Sequence, residues 1–424
     1  MEITRCLVTS KCDDVIKSEY IVSVMGDKPL IQQLLSHEED WCQLMGYRNP
    51  YLDPFEHHIT SSVTTGDGSA YVRYPENRHV YDKLFVAKSQ GMRCGKLEDL
   101  RGSEDAVEYP IFIKPRWGHL SAASKNCFKI KSPEQLRNYS DYDHMMWSDF
   151  VDGREGMTDF ILHNGRIVYQ ITYVYSKQQN GFTDVWKYIS PDTPAPDNIV
   201  NWVQDNVRGH TGFVNVQYRN DKIIEVGLRP ARSGAYIIAT DNAAIMRNLH
   251  NVMDKGFWDD SIMRESHFKP FYAFKCYTQV PILHIWPQSV LDMLLPRLTP
   301  MPLYEYYFEP VNNEGMVFFQ FMHYDFDAGM RAKRLIEALF VMTQLVVLVL
   351  LVAIVVALVY SKVMVAGGLF ALLVVLFLSR FLNPMYANYN LYKGYRQLFA
   401  GKDGLTTPEE FECRRLAKQM MSFE

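Results

Sequence analysis

Lys114 closes a β-rich run, Tyr109–Lys114, and the stretch after it carries small residues, Gly118, Ser121 and Ser124 among them. Further on, Gln217 falls in one β-rich run and Glu225 in the next, with Arg229 and Arg232 directly behind. Upstream, Asp82-Lys83 opens a predicted helix, and Asp149–Glu155 joins two runs of β character. These residue types in this order suit one chemistry. A triphosphate carries several negative charges, so it needs cations from separate elements and backbone N–H groups from a glycine-bearing loop. Magnesium takes oxygen ligands, few of them from protein, and side chains on adjacent strands can present them. Arginines beside such a metal can hold a phosphoryl group in transit and neutralise the charge that develops on it.

The elements that must position these groups are legible from Tyr109 onward. A second β-like run covers Cys127–Ile130, and Ser132-Pro133-Glu134-Gln135 forms a capping box with proline at the first helical position. Met157–Leu162, Asn164-Gly165 and Arg166–Tyr175 predict a hairpin closed by a type I′ turn. Gly212–Tyr218 and Lys222–Val226, around Asn220-Asp221, repeat that pattern. Other motifs fall away. Gly91–Leu97 is one residue short of a phosphate loop and has Leu where a hydroxyl must reach magnesium.

The series resembles the ATP-grasp superfamily, nearest in pattern to the carbamoyl phosphate synthetase large chain and biotin carboxylase, over roughly residues 80–245. Asp82-Lys83 is similar to the family's first phosphate-binding cation. The segment FIKPRWGHLSAAS resembles its strand lysine and phosphate-covering loop, and SDFVDGREGMTDFILHNGRIV its hinge. The segment TGFVNVQYRNDKIIEVGLRPARSGA is similar to the metal-ligating strand pair, arginine included. The resemblance implies an α+β (α/β) ATP-grasp fold whose two lobes enclose a nucleotide cleft, with ATP and Mg²⁺ (or Mn²⁺) as cofactors. It implies that Lys83, Lys114, Gly118 and Ser121 meet phosphates, that the backbone at Phe150 and Val151 meets adenine, and that Glu155 meets ribose. Gln217 and Glu225 would hold the metal, and Arg229 and Arg232 an acylphosphate. One departure stands out: the family's second ligand on the glutamate strand falls on Gly227, which has no side-chain oxygen, and the proline after it is Leu228.

Composition bounds the rest. The chain has 424 residues, 48% of them apolar, with 44 Lys+Arg against 48 Asp+Glu and a net charge of −4. That excludes a disordered chain and a protein whose main task is wrapping nucleic acid, so no nucleic-acid partner is expected. Seven cysteines with no CxxC pair exclude a zinc ribbon or disulfide scaffold. From Ala338 to Tyr360 there is no charged residue, and after Ser361-Lys362 the pattern resumes from Val363. A hydrocarbon core of about 30 Å needs about 20 helical residues. Two membrane helices are therefore expected, over about 338–360 and 363–382, with the lipid bilayer as partner through 338–382. Arg331, Lys333 and Arg334 precede them, and Arg380, Lys393 and Arg396 follow, which predicts both termini on the cytosolic side. The expected divisions are 1–105, a pre-ATP-grasp-like α/β unit; 106–255, the ATP-grasp unit; 256–334, further mixed structure; 335–382, the hairpin; and 383–424, a polar tail with a helix opening at Thr407-Pro408.

Three functions remain open on the sequence: a membrane-anchored ligase that activates a carboxylate with ATP, a module that binds nucleotide without turnover, and a membrane-shaping or recruitment protein. The carboxylate and nucleophile substrates, possible membrane delivery included, are not encoded in any motif.

Overall fold

The computed structural model describes residues 57, 59–60, 62–64, 66–118, 127–139, 144–176, 179–180, 183–278, 297–299, 301, 304–310 and 316–379. The tail with its expected helix and residues 380–382 lie outside them. Helices α1 (Asp67–Arg73) and α2 (Lys83–Ser89) precede a four-stranded antiparallel sheet. Its strands are β1 (Cys94–Lys96), β2 (Ile111–Pro115), β3 (Phe128–Ile130) and β4 (Met145–Asp149), in the order β1-β4-β2-β3. Ile111 and Ile113 face the core of this sheet with Leu97, Leu100 and Leu136, the last from α3 (Pro133–Arg137). Side chains alternate along a strand, so Lys114 leaves β2 on the face opposite Ile113. Ser132 caps α3 as expected, its Oγ accepting from Gln135 N, but the return bond of the capping box lands one residue earlier, with Gln135 Oε1 accepting from Lys131 N at 2.7 Å.

The second sheet has eight strands. The expected hairpin is β5 (Glu155–His163) and β6 (Arg166–Tyr175), closed by Asn164 at φ 49° and Gly165 at φ 79°, the left-handed pair that a type I′ turn requires. A ribbon of β7 (Gln179–Asn180) and β8 (Thr183–Asp184) leads to β9 (Trp186–Ser190). Helix α4 (Asp197–Asn206) crosses to the second hairpin, β10 (Gly212–Arg219) and β11 (Lys222–Gly227). Three short helices follow, α5 (Ala235–Ile238), α6 (Ala243–His250) and α7 (Asp260–Glu265). Strands β12 (Phe271–Thr278), β13 (Tyr304–Pro310) and β14 (Met316–His323) then complete the order β11-β10-β5-β6-β9-β12-β14-β13, so part of 256–334 continues the sheet begun at Glu155.

The pairing register sorts the faces. Phe160, Leu162, Val214, Val216 and Ile223 pack under α4 through Ile199, Trp202 and Val203. On the other face Glu225, Gln217, Met157, Tyr173, Ile189 and Phe271 are successive partners across six strands. Its central part is covered by Tyr236, Ile237, Ile245 and Leu249 from α5 and α6, whereas Glu225 and Gln217 lie at the edge. Helix α2 is wedged beside that edge: Leu84 and Ala87 pack on Met146 of β4, while Val86 joins the core under β11.

Helix α8 (Phe326–Val359) is a single helix of 34 residues, N-capped by Asp325, whose carboxylate accepts from Ala328 N at 2.7 Å. It begins well before Ala338. Hydropathy alone marks where the helix is apolar all round, and the first turns are amphipathic instead. Ala332, Ile336 and Phe340, each four residues apart, pack on Phe274, Phe319 and Phe321 of the sheet. Gly329 permits this contact, since a Cβ there would lie 2.1 Å from the Phe274 ring. Beyond Phe340 the exposed side chains are themselves apolar, including Val349 at 65% and Val359 at 72% exposure. By length and composition α8 is able to cross a membrane. Helix α9 (Val363–Ser379), 17 residues long and apolar, follows a tight turn in which Ser361 takes φ 54°, and it contacts α8.

Candidate functional site

Between β2 of the small sheet and β11 of the large one, two lysines and a glutamate meet. Asp82 caps α2, its Oδ1 accepting from Leu84 N at 3.0 Å, and Arg116 grips both Asp82 oxygens at 2.8 and 2.6 Å. That fixes the first helical residue, Lys83, whose Nζ lies 3.2 Å from Glu225 Oε1. The lysine side chain is 5% exposed and the glutamate 40%, so the carboxylate opens to the cleft. Lys114 reaches the same strand from the other side and donates to the Ile224 carbonyl at 2.7 Å. A β-bulge supplies that acceptor. The register moves from Gln217↔Glu225 to Tyr218↔Ile223, which leaves Ile224 without an opposite number. Burial pushes the Lys114 ammonium down to about 8; the Lys83 charge acts in the same direction and Glu225 opposes it. Gly118 borders the group, since a Cβ there would sit 3.4 Å from Glu225 Oε1. Ser121 lies outside the described residues.

Gln217 is the register partner of Glu225. Directly opposed residues on one face have Cβ atoms about 5 Å apart, so the two side chains stand together. The Gln217 Nε2 donates to Glu155 Oε1, and since a carboxylate accepts only, the amide oxygen is turned away from Glu155. Glu155 Oε2 in turn holds Arg219, from Nε at 3.2 Å and Nη2 at 3.1 Å. Burial pushes the Glu155 carboxyl up against the opposing pull of Arg219. The Arg219 Nη1 also donates to the Val151 carbonyl at 3.4 Å, and Lys129 Nζ stands 3.6 Å from the centre of the Phe150 ring. The segment 150–155 is thus tied to the β10 end by Arg219. Glu155 faces Gln217 and Arg219 from a buried position, so its carboxylate orients the glutamine.

Arg229 follows β11 and pairs with Asp67 of α1, Nη2 to Oδ2 at 2.8 Å. Burial by itself lowers the guanidinium, and the Asp67 carboxylate more than offsets this, so its pKa is held above the ordinary arginine value. Arg232 sits in the turn Ala231–Gly234 with φ 53°, a left-handed conformation that a side chain with Cβ seldom adopts. The turn is anchored from below by Asp159. That carboxylate is fully buried and accepts from Tyr173 Oη at 2.6 Å, Asn215 Nδ2 at 2.7 Å and Ala231 N at 3.0 Å. Replacing Asp159 by Ala leaves three buried donors unpaired, and a loss of roughly 3 kcal/mol is expected in chemical denaturation. Burial raises its pKa to about 6. A raised carboxyl favours the folded state below its unfolded pKa, so this group's contribution is lost as pH rises from about 4 through 6. That pH dependence should be absent in Asp159→Asn.

The donor set at β10–β11 is oxygen only, an amide and a carboxylate, which fits Mg²⁺ or Mn²⁺ with the remaining positions filled by water and phosphate. Among the described residues no three His, Cys, Asp or Glu side chains gather as a metal site. Lys83, Lys114, Gly118, Gln217 and Glu225 come together at one end of the sheet edge; Arg229 stands nearby within electrostatic range of Glu225. Asp67, Tyr81, Asp159 and Arg219 are the residues that sequence reasoning missed. Tyr81 is buried, and its hydroxyl accepts from Leu228 N at 2.9 Å.

No protein-family model and no curated protein matches the chain. Among solved structures it is similar to the L-amino acid ligase of Bacillus licheniformis, 15% identical with a TM-score of 0.42, over 64% of this chain and 72% of that one. It is also similar to phosphoribosylamine–glycine ligase of Thermotoga maritima, 11% identical, TM-score 0.40, over 62% of this chain and 77% of that one. A third is the N5-carboxyaminoimidazole synthase of Aspergillus clavatus in complex with ADP and 5-aminoimidazole ribonucleotide, 14% identical, TM-score 0.41, over 62% and 74%.

Proposed function

We propose that the protein is a membrane-anchored ATP-grasp ligase. The observation that carries this reading is the meeting of Lys83 and Lys114, from a helix and from a separate sheet, at the strand of Glu225, with Gln217 in register beside it. ATP would supply the phosphoryl group that turns an acceptor carboxylate into an acylphosphate, which an amine or other nucleophile then attacks. Mg²⁺ held by Gln217 and Glu225 would draw charge from the phosphates. The chain's own task is to bind and orient. Lys83 and Lys114 neutralise phosphate oxygens, Gly118 lies beside them, and Phe150 and Val151 meet the base. Glu155 keeps the Gln217 amide turned, and Arg229 and Arg232 hold the acyl group's oxygens. The test is acceptor- and Mg²⁺-dependent phosphate release: unaltered turnover in both Glu225→Gln and Lys114→Ala would sink the reading. A second reading, nucleotide binding without turnover, is favoured by Gly227 and predicts ATP binding by calorimetry with no hydrolysis over any acceptor. If nucleotide fails to bind at all, the recruitment reading remains.

The anchor part of the proposal rests on the exposed apolar surface of α8 and α9, with both termini cytosolic. Ala332, Ile336 and Phe340 belong to the sheet's packing and the later turns do not. A chain ended after Thr343 is therefore expected to leave the membrane fraction and stay folded. One ended at Asp325 strips Ile336 and Phe340 from the sheet, side chains worth about 2–5 kcal/mol each, and is expected to aggregate.

A further inference from the structure

The bare position at Gly227 is filled from elsewhere in the chain. Gly227 lies two residues beyond Glu225 on the same strand, hence on the same face. A Cβ built on Gly227 would lie 3.1 Å from Asp67 Oδ1 and 3.9 Å from the Tyr81 hydroxyl. With a C–C bond of about 1.5 Å and a C=O of about 1.2 Å, an asparagine's own oxygen sits about 2.4 Å from its Cβ. The Asp67 oxygen therefore lies within about 1 Å of the reach of a side-chain oxygen from position 227. Asp67 stands in the first turn of α1 without capping it, since the N-cap Gly66 has no side chain and no side-chain cap forms. Its Oδ2 accepts from Arg229 at 2.8 Å, which turns Oδ1 toward the strand, and the carboxylate also accepts from the Tyr81 hydroxyl, a neutral donor that leaves the charge free to face a cation. Both members of that pair are about a quarter exposed, at 28% for Asp67 and 26% for Arg229, so the carboxylate is open to the cleft.

We propose that Asp67 supplies the cation-ligating oxygen that Gly227 lacks, so that the ligand set is Gln217, Glu225 and Asp67. This rests on the magnesium–ATP reading of the site and deepens it. The ligand comes from a helix upstream of the strand pair, and glycine at 227 leaves it room, because a Cβ there would push the carboxylate back by a few tenths of an ångström. Asp67 would do two jobs at once, one oxygen on the guanidinium and the other on the metal.

The test is Mn²⁺ bound by the full-length protein in detergent with the non-hydrolysable analogue AMP-PNP, read by electron paramagnetic resonance. Asp67→Asn is the discriminating variant. Arginine only donates, so Arg229 keeps the oxygen of the new amide and turns its –NH₂ toward the metal, where it cannot ligate. The expected result is Mn²⁺ affinity at least tenfold weaker with circular dichroism unchanged. Asp67→Ala combined with Gly227→Asn returns an oxygen from position 227 and should recover affinity to within about threefold. Wild-type Mn²⁺ affinity in Asp67→Asn overturns the assignment and leaves Asp67 as a structural partner of Arg229 and Tyr81. If the wild-type protein binds no Mn²⁺ with the analogue, the magnesium–ATP reading fails as well.

Discussion

Glu225→Gln should slow ATP turnover by roughly a hundredfold or more, the size of effect seen when one preorganised electrostatic group aimed at a reacting phosphoryl or acyl centre is removed. The substitution keeps the shape of the side chain and an oxygen able to accept from Lys83, so the fold is expected to persist. What goes is a negative charge 3.2 Å from Lys83 Nζ, on the strand pair that carries Gln217. Two consequences of opposite sign follow. Divalent-cation dependence should weaken, because a neutral amide is a poorer ligand for a hard cation than a carboxylate. Metal-free ATP should bind no worse, and even better, because an anion has been removed from beside the polyphosphate. A kcat loss with an unchanged or lower KM is the expected signature. A KM rise with kcat intact would assign Glu225 to ground-state binding instead.

Lys114→Met is expected to separate binding from stability. A hydrogen bond to a charged partner contributes about 1.5–3 kcal/mol, so losing the ammonium should weaken ATP binding roughly ten- to a hundredfold. Stability should not fall at neutral pH, since the variant also removes a buried charge. The pH behaviour supplies an independent check. The Lys114 pKa is lowered to about 8 by burial, then by Lys83, with Arg219 acting the same way and Glu225 and Cys127 opposing. An unfolded lysine holds its proton up to about 10.4. Between 8 and that value the unfolded chain binds more protons than the folded one, so stability rises with pH across the window, and in Lys114→Met this rise should vanish. ATP affinity runs the other way. Only the ammonium meets phosphate, so affinity should decline as pH climbs through about 8, and calorimetry in buffers of different ionisation enthalpy should find proton uptake on binding there. A flat affinity from pH 7 to 9.5 would mean that Lys114 does not face the phosphates.

The two hairpins were readable because Asn164-Gly165 and Asn220 are local signals: the turn chemistry sits inside the turn. Gln217, Glu225 and Lys114 were readable for a different reason, since their neighbours in sequence repeat a recognisable order. Asp67 was invisible, being one acid in a polar stretch whose partner Arg229 lies 162 positions away. The same holds for Asp159, which looks like an ordinary polar strand residue until the turn at Ala231 folds onto it. Arg219 sits at the end of a strand, where a basic side chain is unremarkable, yet it joins Glu155 to Val151. The bulge at Ile224 could not be read either, because it is a property of pairing and not of one strand. Hydropathy located the apolar stretch of α8 and missed its first turns, which answer to the sheet they cover.

The unbroken course of α8 bears on how substrates arrive. Its first turns are clamped to Phe274, Phe319 and Phe321, and the same rod, about 50 Å at 1.5 Å per residue, continues into the stretch of outward-facing valines and leucines. Nothing in it swivels as a flexible tether does. If, as proposed, that rod crosses a bilayer, the mouth between the two sheets would be held at one height and one tilt above the headgroups, like a lamp on a fixed bracket. Under the proposed anchoring, reach would then become a selection rule: an acceptor in the leaflet would be met by the site only if its reactive end projected by that set amount.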